Sequence, residues 1–385
     1  MTTPPTASTT IERILGLARK ERAAATQAIQ GMTLDQQVAL VCDTPLSRRA
    51  ETLELLPVPE AVIPLIPEAE FCFTVKAIGI EDAAWVLDHA TPEQIVACVD
   101  LDGWRGATAD RAAIDRWLDT LAMTTDESFL RSIRALDPEL VVLFLKHRIQ
   151  CFQKPDDDEG WQPPEGSQTV EGQFHFVAVR EGDDLEPVVA MLRALFVADY
   201  WVYFRMMQGI IHELDIVNEE WALRWRTGRL EDLGFPPWDS AMAIYRFIRR
   251  DDRAAISDET TSFVMGKWHL PVWMPRLPAS ADHPYLLFRV FAQLDETERR
   301  SALYAFIALA NKVAVADRLE LSDAESTPIA IDKVADFASV GLEFISTKRG
   351  LDAADVLRRV PLQRLFSVGA NLEPERAYPR DKQNS

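Results

Sequence analysis

Apolar side chains recur every three or four residues along most of the chain, the spacing that lines one face of an α-helix. Thr9-Thr10-Ile11-Glu12 has the form of a capping box. The helix it opens carries Ile11, Ile14, Leu15 and Ala18 on its apolar face, with Gly31 as its stop. Thr33-Leu34-Asp35-Gln36 repeats the signature ahead of another apolar run. Related starts follow at Thr91-Pro92-Glu93-Gln94 and Asp137-Pro138-Glu139-Leu140, with weaker copies at Pro59-Glu60, Pro67-Glu68 and Glu81-Asp82. A cap residue comes first. Proline then takes a position where its missing N–H costs nothing, and an acid sits at the positive end of the helix dipole. The intervals are irregular, so the pattern predicts an array of helices only two or three turns long. Such helices are unstable alone and must stack on their neighbours.

The pattern breaks between residues 150 and 182. Lys154 to Ser167 is charged and rich in turn residues, which predicts a solvated loop. Gln173 to Arg180 is β-branched and aromatic, the clearest strand signal in the chain, with Arg148 to Phe152 as a partner. Helical spacing then resumes at about 186–212, 216–227, 239–250, 284–292, 295–318, 328–347 and 351–358. Between 251 and 283 it lapses, and three prolines (Pro271, Pro275, Pro278) exclude a helix interior there. The expected fold is mainly α. Residues 1–9 form a disordered tail, 10–150 a short-helix array, and 151–182 an acidic loop with a small β-hairpin insertion. A larger helical domain over 183–370 holds an irregular loop at 251–283, and 371–385 is a frayed tail.

Composition narrows the partners. The 385 residues are 48% hydrophobic, enough to bury a core. The net charge of −19 argues against nucleic acid and anionic membrane. No secretory signal is expected at the polar N-terminus. The most apolar window, Val188 to Ile211, is interrupted by Arg193, Asp199 and Arg205, so a core helix is expected rather than a membrane span. The four cysteines form no CxxC pair, and Cys42, Cys72 and Cys98 lie in apolar runs. That predicts buried free thiols in a reducing cytoplasm.

Candidate chemistry is sparse. His212-Glu213-Leu214-Asp215 lies at the end of a strongly apolar helix, where His212 and Asp215 at i, i+3 share a face, but no second histidine makes an HExxH site. The plainer role for His212 is that of a cation near a helix C-terminus. No metal and no cofactor is expected. No GxSxG elbow, GxGxxG or Walker loop is present, and Ser339-Val340-Gly341-Leu342 sits inside a helical pattern. Catalytic residues stay unassigned. Arg224, Arg226 and Arg229 lie among Glu220, Glu231 and Asp232, with Gly228 placed to close the helix and Arg229 just past its end. They make either an ion-pair network at a helix–loop junction or a site for a small anion or acidic peptide. Seven of the ten tryptophans fall between Trp161 and Trp273. They make either an aromatic core or a groove lined by Trp268 and Trp273 on the proline-rich loop.

Three stretches carry a family resemblance: Ala222 to Pro236, Ile80 to Gln94, and Leu309-Ala310-Asn311-Lys312-Val313-Ala314-Val315-Ala316-Asp317. Together they resemble the bacterial domain-of-unknown-function family 6178 over roughly residues 30 to 370. The resemblance implies a bacterial source and transfers no activity or site residue. The short-helix array is also similar in style to the cytosolic helical superhelix domain of magnesium-transporter proteins, without the membrane part that carries their function. The expectation is a cytoplasmic, non-catalytic helical scaffold or adaptor that binds another protein. The alternative is an enzyme or small-ligand sensor with a cleft near His212, Arg229 and Trp268.

Overall fold

A computed structural model describes residues 7–157, 160–180, 182–256 and 280–377. Among these, helices dominate and two small antiparallel sheets are set between them, so the fold is mainly α with a small β insertion. The chain divides into two compact units, Met1–Arg226 and Thr227–Ser385.

The first unit contains α1 (Ala7–Ala18), α2 (Arg22–Gln30), α3 (Leu34–Asp43), α4 (Leu46–Leu53), α5 (Pro59–Val62), α6 (Glu68–Ile78), α7 (Ala84–Leu87) and α8 (Pro92–Asp102). The strands β1 (Trp104–Arg105) and β2 (Thr108–Ala109) follow, then α9 (Arg111–Leu121), α10 (Asp126–Ala135) and α11 (Pro138–Arg148). Next come β3 (Ile149–Gln153), β4 (Gln168–Thr169), β5 (Phe174–Ala178), α12 (Glu186–Ala198), α13 (Tyr200–His212) and α14 (Asp215–Asp232), which continues past the unit boundary. Capping boxes start α3 at Thr33 and α8 at Thr91, as their sequences predict. Gln94 does more than cap: its Nε2 also donates to the carbonyls of Ile63 and Ile66, both at 2.8 Å, tying α8 to the turn before α6. Buried polar groups hold other helices together. Arg49 donates to the Cys42 and Thr44 carbonyls and to Thr74 Oγ1, and lies 2.8 Å from the Glu70 carboxylate. Asp102 accepts from Lys76 Nζ at 2.6 Å and from Trp117 Nε1 at 3.0 Å. All four cysteines are buried free thiols, and burial pushes the Cys151 thiol up to about 12.

The predicted hairpin exists as β3 and β5, paired from Ile149↔Ala178 to Gln153↔Phe174. A third strand, β4, which was not expected, joins β5 just after the predicted loop. Three helix boundaries also differ. The first helix starts at Ala7, so Thr9 lies inside it rather than at its cap, and a break at 19–21 separates α1 from α2. The window 186–212 is two helices, because extended Asp199 (φ −156°) ends α12 and its carboxylate caps α13 by accepting from the Val202 N–H at 3.2 Å. Of the helix expected over 239–250, only 238–241 is α-helical, followed by a 3₁₀ turn.

The second unit contains the end of α14, then α15 (Trp238–Ala241), α16 (Leu286–Phe291), α17 (Glu296–Ala316), α18 (Ser326–Arg349), α19 (Ala353–Arg359), α20 (Leu362–Leu372) and α21 (Pro374–Ala377). α17 starts in the predicted capping box, Asp295 with Glu298, and α18 ends at left-handed Gly350. α20 lies where no helix was expected. It buries Leu362, Leu365, Phe366 and Gly369 at helical spacing and packs closely along α18. The contact is backbone to backbone. A Cβ on Gly341 would meet the Leu365 carbonyl oxygen at 1.9 Å, and one on Gly369 would meet the Phe337 carbonyl oxygen at 1.9 Å. Thus the small residues at 339–341 serve helix packing: Ser339 Oγ donates to the Ala335 carbonyl and accepts the Leu287 N–H.

A methyl at either crossing glycine must push the two helices apart. Gly341→Ala or Gly369→Ala is therefore expected to destabilise by about 2 kcal/mol or more, despite alanine's better helix propensity. Gly228 has open space around it within α14, so Gly228→Ala should stabilise by roughly 0.5–1 kcal/mol. Urea midpoints of the three variants measure both signs.

Candidate functional site

Each described site residue predicted from sequence has its own local setting. His212 is the exposed last residue of α13, while Asp215 opens α14, so one helix face does not carry both. Glu213 and Leu214 between them end one helix and allow the next to start. Asp215 instead lies 2.7 Å from Lys146 Nζ and 4.0 Å from His147 Nε2. Gly228 does not close α14; the helix runs on to Asp232. Gly234 (φ +86°) makes the left-handed turn, and the Phe235 N–H donates to the Leu230 carbonyl at 2.7 Å. Arg229 is consequently inside the helix and half-buried, and Glu231 and Asp232 are exposed near its end.

Arg224 and Arg226, two residues apart, serve different faces. Arg226 Nε donates to the Asp100 carbonyl at 2.7 Å, and its guanidinium lies 5.2 Å from the Trp104 ring, which fastens α14 to the β1–β2 hairpin. This is a structural lock. Arg224 lies 5.2 Å from the Trp221 ring on the exposed face. Trp268 and Trp273 lie outside the described residues. Among the described residues no group of three His, Cys, Asp or Glu is placed to hold a metal ion, and no helix is long and apolar enough to cross a membrane.

The first unit does bring titratable groups together where α9, α11 and α14 meet. α9 presents Arg111, Asp115 and Asp119 one turn apart. The last turn of α11 contributes Lys146, His147 and Arg148, and the first turns of α14 contribute Asp215 and Glu219. Arg148 lies 2.5 Å from Asp119 and 4.0 Å from Asp115, Arg111 lies 3.6 Å from Glu219, and Lys146 also donates to the Glu213 carbonyl. Burial pushes the Asp115 carboxyl up, against the pull of Arg148. Burial and the Arg111 charge hold the His147 imidazole down. The hydrogen bond from Lys146 lowers Asp215. Perturbed acids and bases in a cleft suggest catalysis, but the space among them is about 10 Å³, room for a single water. The cluster is a three-helix charge clamp.

The second unit holds a larger space, about 680 Å³, between α17 and the α19–α20 junction. Its walls are mostly apolar, with Lys312, Gln363, Glu298 and Arg358 as the main polar groups. None of these was singled out as a site residue from sequence. The available signal was Ser301, Ala302, Ala305 and Ala308, small residues sharing one face of a helix that also carries Lys312.

His147 supplies a pH test of the clamp. Its folded pKa lies below the ordinary histidine value, so below about pH 6.5 the unfolded chain takes up a proton that the folded chain refuses. Stability from this group is lost as pH falls, while Asp115, shifted upward, works in the opposite direction. His147→Gln should shrink the drop in urea midpoint between about pH 7.5 and about pH 5.5. An equal or larger drop in the variant would contradict the clamp's electrostatics.

No curated protein and no solved structure matches the chain significantly. Residues 26–374 match the model of a family described as Family of unknown function (DUF6178). That span covers the short-helix array from within α2 onward, the small sheets and the α18–α20 crossing together, and the chain belongs to this family.

Proposed function

We propose that the chain is a non-catalytic helical scaffold that binds another protein, and that the exposed face of α14 in the first unit is the contact. One observation carries this reading: large apolar side chains stay in water where a buried face would be cheaper. Ile216 is 73% exposed, and Val217, Trp221 and Trp225 are exposed with it. Val217, Trp221, Arg224 and Trp225 share one side of the helix at i, i+4, i+7 and i+8. The two indoles stack at 6.0 Å, and the Arg224 guanidinium covers the Trp221 ring. Tryptophan and arginine are the residues that most often dominate protein interfaces. Stacking limits their side-chain freedom before a partner arrives, which lowers the entropic cost of binding. The fitting partner presents apolar side chains flanked by a carboxylate for Arg224. Trp201 and Val197, 75% and 79% exposed around the α12–α13 corner, add to the apolar surface of this unit.

The test compares two baits, the full chain and its Trp221→Ala/Trp225→Ala variant, in pull-downs from a lysate of the source organism. Both indoles are exposed, so their loss should leave the helical circular dichroism intact. A partner held by the wild-type chain should bind the variant at least about tenfold more weakly. Equal capture by both baits, or no saturable partner for the wild-type chain, would contradict the reading.

A further inference from the structure

The groove in the second unit has a chemistry of its own. On α17, Ser301, Ala302, Ala305 and Ala308 line one side with small side chains, and Val360 and Leu362 face them from the α19–α20 junction. Its volume of about 680 Å³ lies within the range of small-molecule sites. The two cations at the groove differ in one respect. Arg358 is neutralised: its Nε is 2.9 Å from Glu298 and its Nη1 is 3.3 Å from Asp355. Glu298 is in turn satisfied by Arg358 and by the Asp295 N–H at 3.1 Å. Lys312 stands about 20 Å further along the same helix, at ~1.5 Å of rise per residue. Its Nζ donates to Gln363 Oε1 at 2.7 Å, a neutral acceptor, and no carboxylate among the described residues pairs with it. Burial lowers its pKa. A half-buried ammonium without a counter-charge is costly, and an incoming anion would relieve that cost.

We propose that this groove binds a single-chain amphipathic carboxylate, with its head group on Lys312 and Gln363 and its apolar chain along Ala308, Ala305 and Ala302. One carboxylate oxygen accepts from the Lys312 ammonium, and the other can accept from the Gln363 amide nitrogen. A single ammonium at one end suits a monoanion. The alkyl chain suits the remaining walls because it brings no polar group. A peptide strand laid in the same place would bring backbone N–H and C=O groups that alanine, valine and leucine side chains cannot satisfy. Arg358, held by Glu298 and Asp355, marks the far end and is already paired, so it offers no competing site for the carboxylate.

Calorimetric titration of the full chain with decanoate, decan-1-ol and decyltrimethylammonium tests this, each probe kept below its aggregation limit. Decanoate should bind one to one and at least about tenfold tighter than the alcohol of equal chain length, with the cation weakest. Lys312→Met, which keeps an unbranched apolar stem, should bring decanoate down to the level of the alcohol while the alcohol is unaffected. Ala305→Trp should abolish both by filling the groove. Failure of decanoate to bind wild-type protein, equal affinity for decanoate and decanol, or decanoate binding that survives both substitutions would overturn the proposal. The wild-type comparison decides even if a variant does not fold.

Discussion

Two glycines let α18 and α20 touch backbone to backbone, and the second unit is arranged around that contact. Gly341 and Gly369 each face a carbonyl oxygen where no Cβ could fit. So close an approach seats Phe366 against both Phe337 and Tyr245, at ring separations of 5.8 and 5.7 Å. It also places the outer side of α20 where Ser367 donates to the Ile244 carbonyl and Asn371 bonds Ile248 N–H and the Arg246 carbonyl. The irregular 242–248 segment is thereby fixed by a helix more than a hundred positions later in the chain. α17 packs on α18 too, but it meets α20 only lightly. Two helices drawn to a common neighbour, one of them presenting mainly alanine and serine, leave the space that becomes the groove.

The first unit solves its packing problem differently. Its helices are short, so propensity cannot hold them, and much of the work falls to caps and to a few buried polar side chains. Arg49 gathers α3, α4 and α6 through three carbonyls, a hydroxyl and a carboxylate. Removing one partner of such a buried pair typically costs 3–5 kcal/mol, because the other charge is stranded. The outer face of α14 contrasts with this economy. Its two indoles, Trp221 and Trp225, stay exposed and stack on each other, and that contrast motivates the proposed contact.

Local chemistry was legible in the sequence wherever one residue decides the structure. Thr33, Thr91 and Asp295 start helices because their side-chain oxygens replace lost backbone partners within three residues. Acids at helix starts, among them Asp35, Glu60, Glu93 and Glu139, take up part of the −19 charge as capping chemistry. Features set by distant packing were not legible. Asp199 can continue a helix or cap one, and nothing within a few residues decides between them. Gly228 is a reasonable helix end until Gly234 supplies a better one. α20 follows a proline and its Leu-Phe-Ser-Val-Gly core spacing becomes meaningful only against Gly341. The packing roles of the arginines on α14 were hidden for the same reason. Arginine spacing on α14 says which faces are used, but the Trp104 ring and the Asp100 carbonyl that claim Arg226 come from a helix and hairpin over a hundred positions earlier. Lys312 was visible as part of an apolar helix, yet its pairing with neutral Gln363, rather than with a carboxylate among the described residues, is a property of the folded surroundings.

Beside the apolar groove of the second unit, Lys312 has no carboxylate partner among the described residues. The most direct measurement is an NMR pH titration of lysine side chains in the ¹³C-lysine-labelled protein, with Lys312 assigned through Lys312→Arg. Its midpoint should lie below the ordinary lysine value of about 10.4, rise when decanoate is added, and stay put with decan-1-ol. An ordinary midpoint in the free protein, or no response to decanoate, would contradict the account.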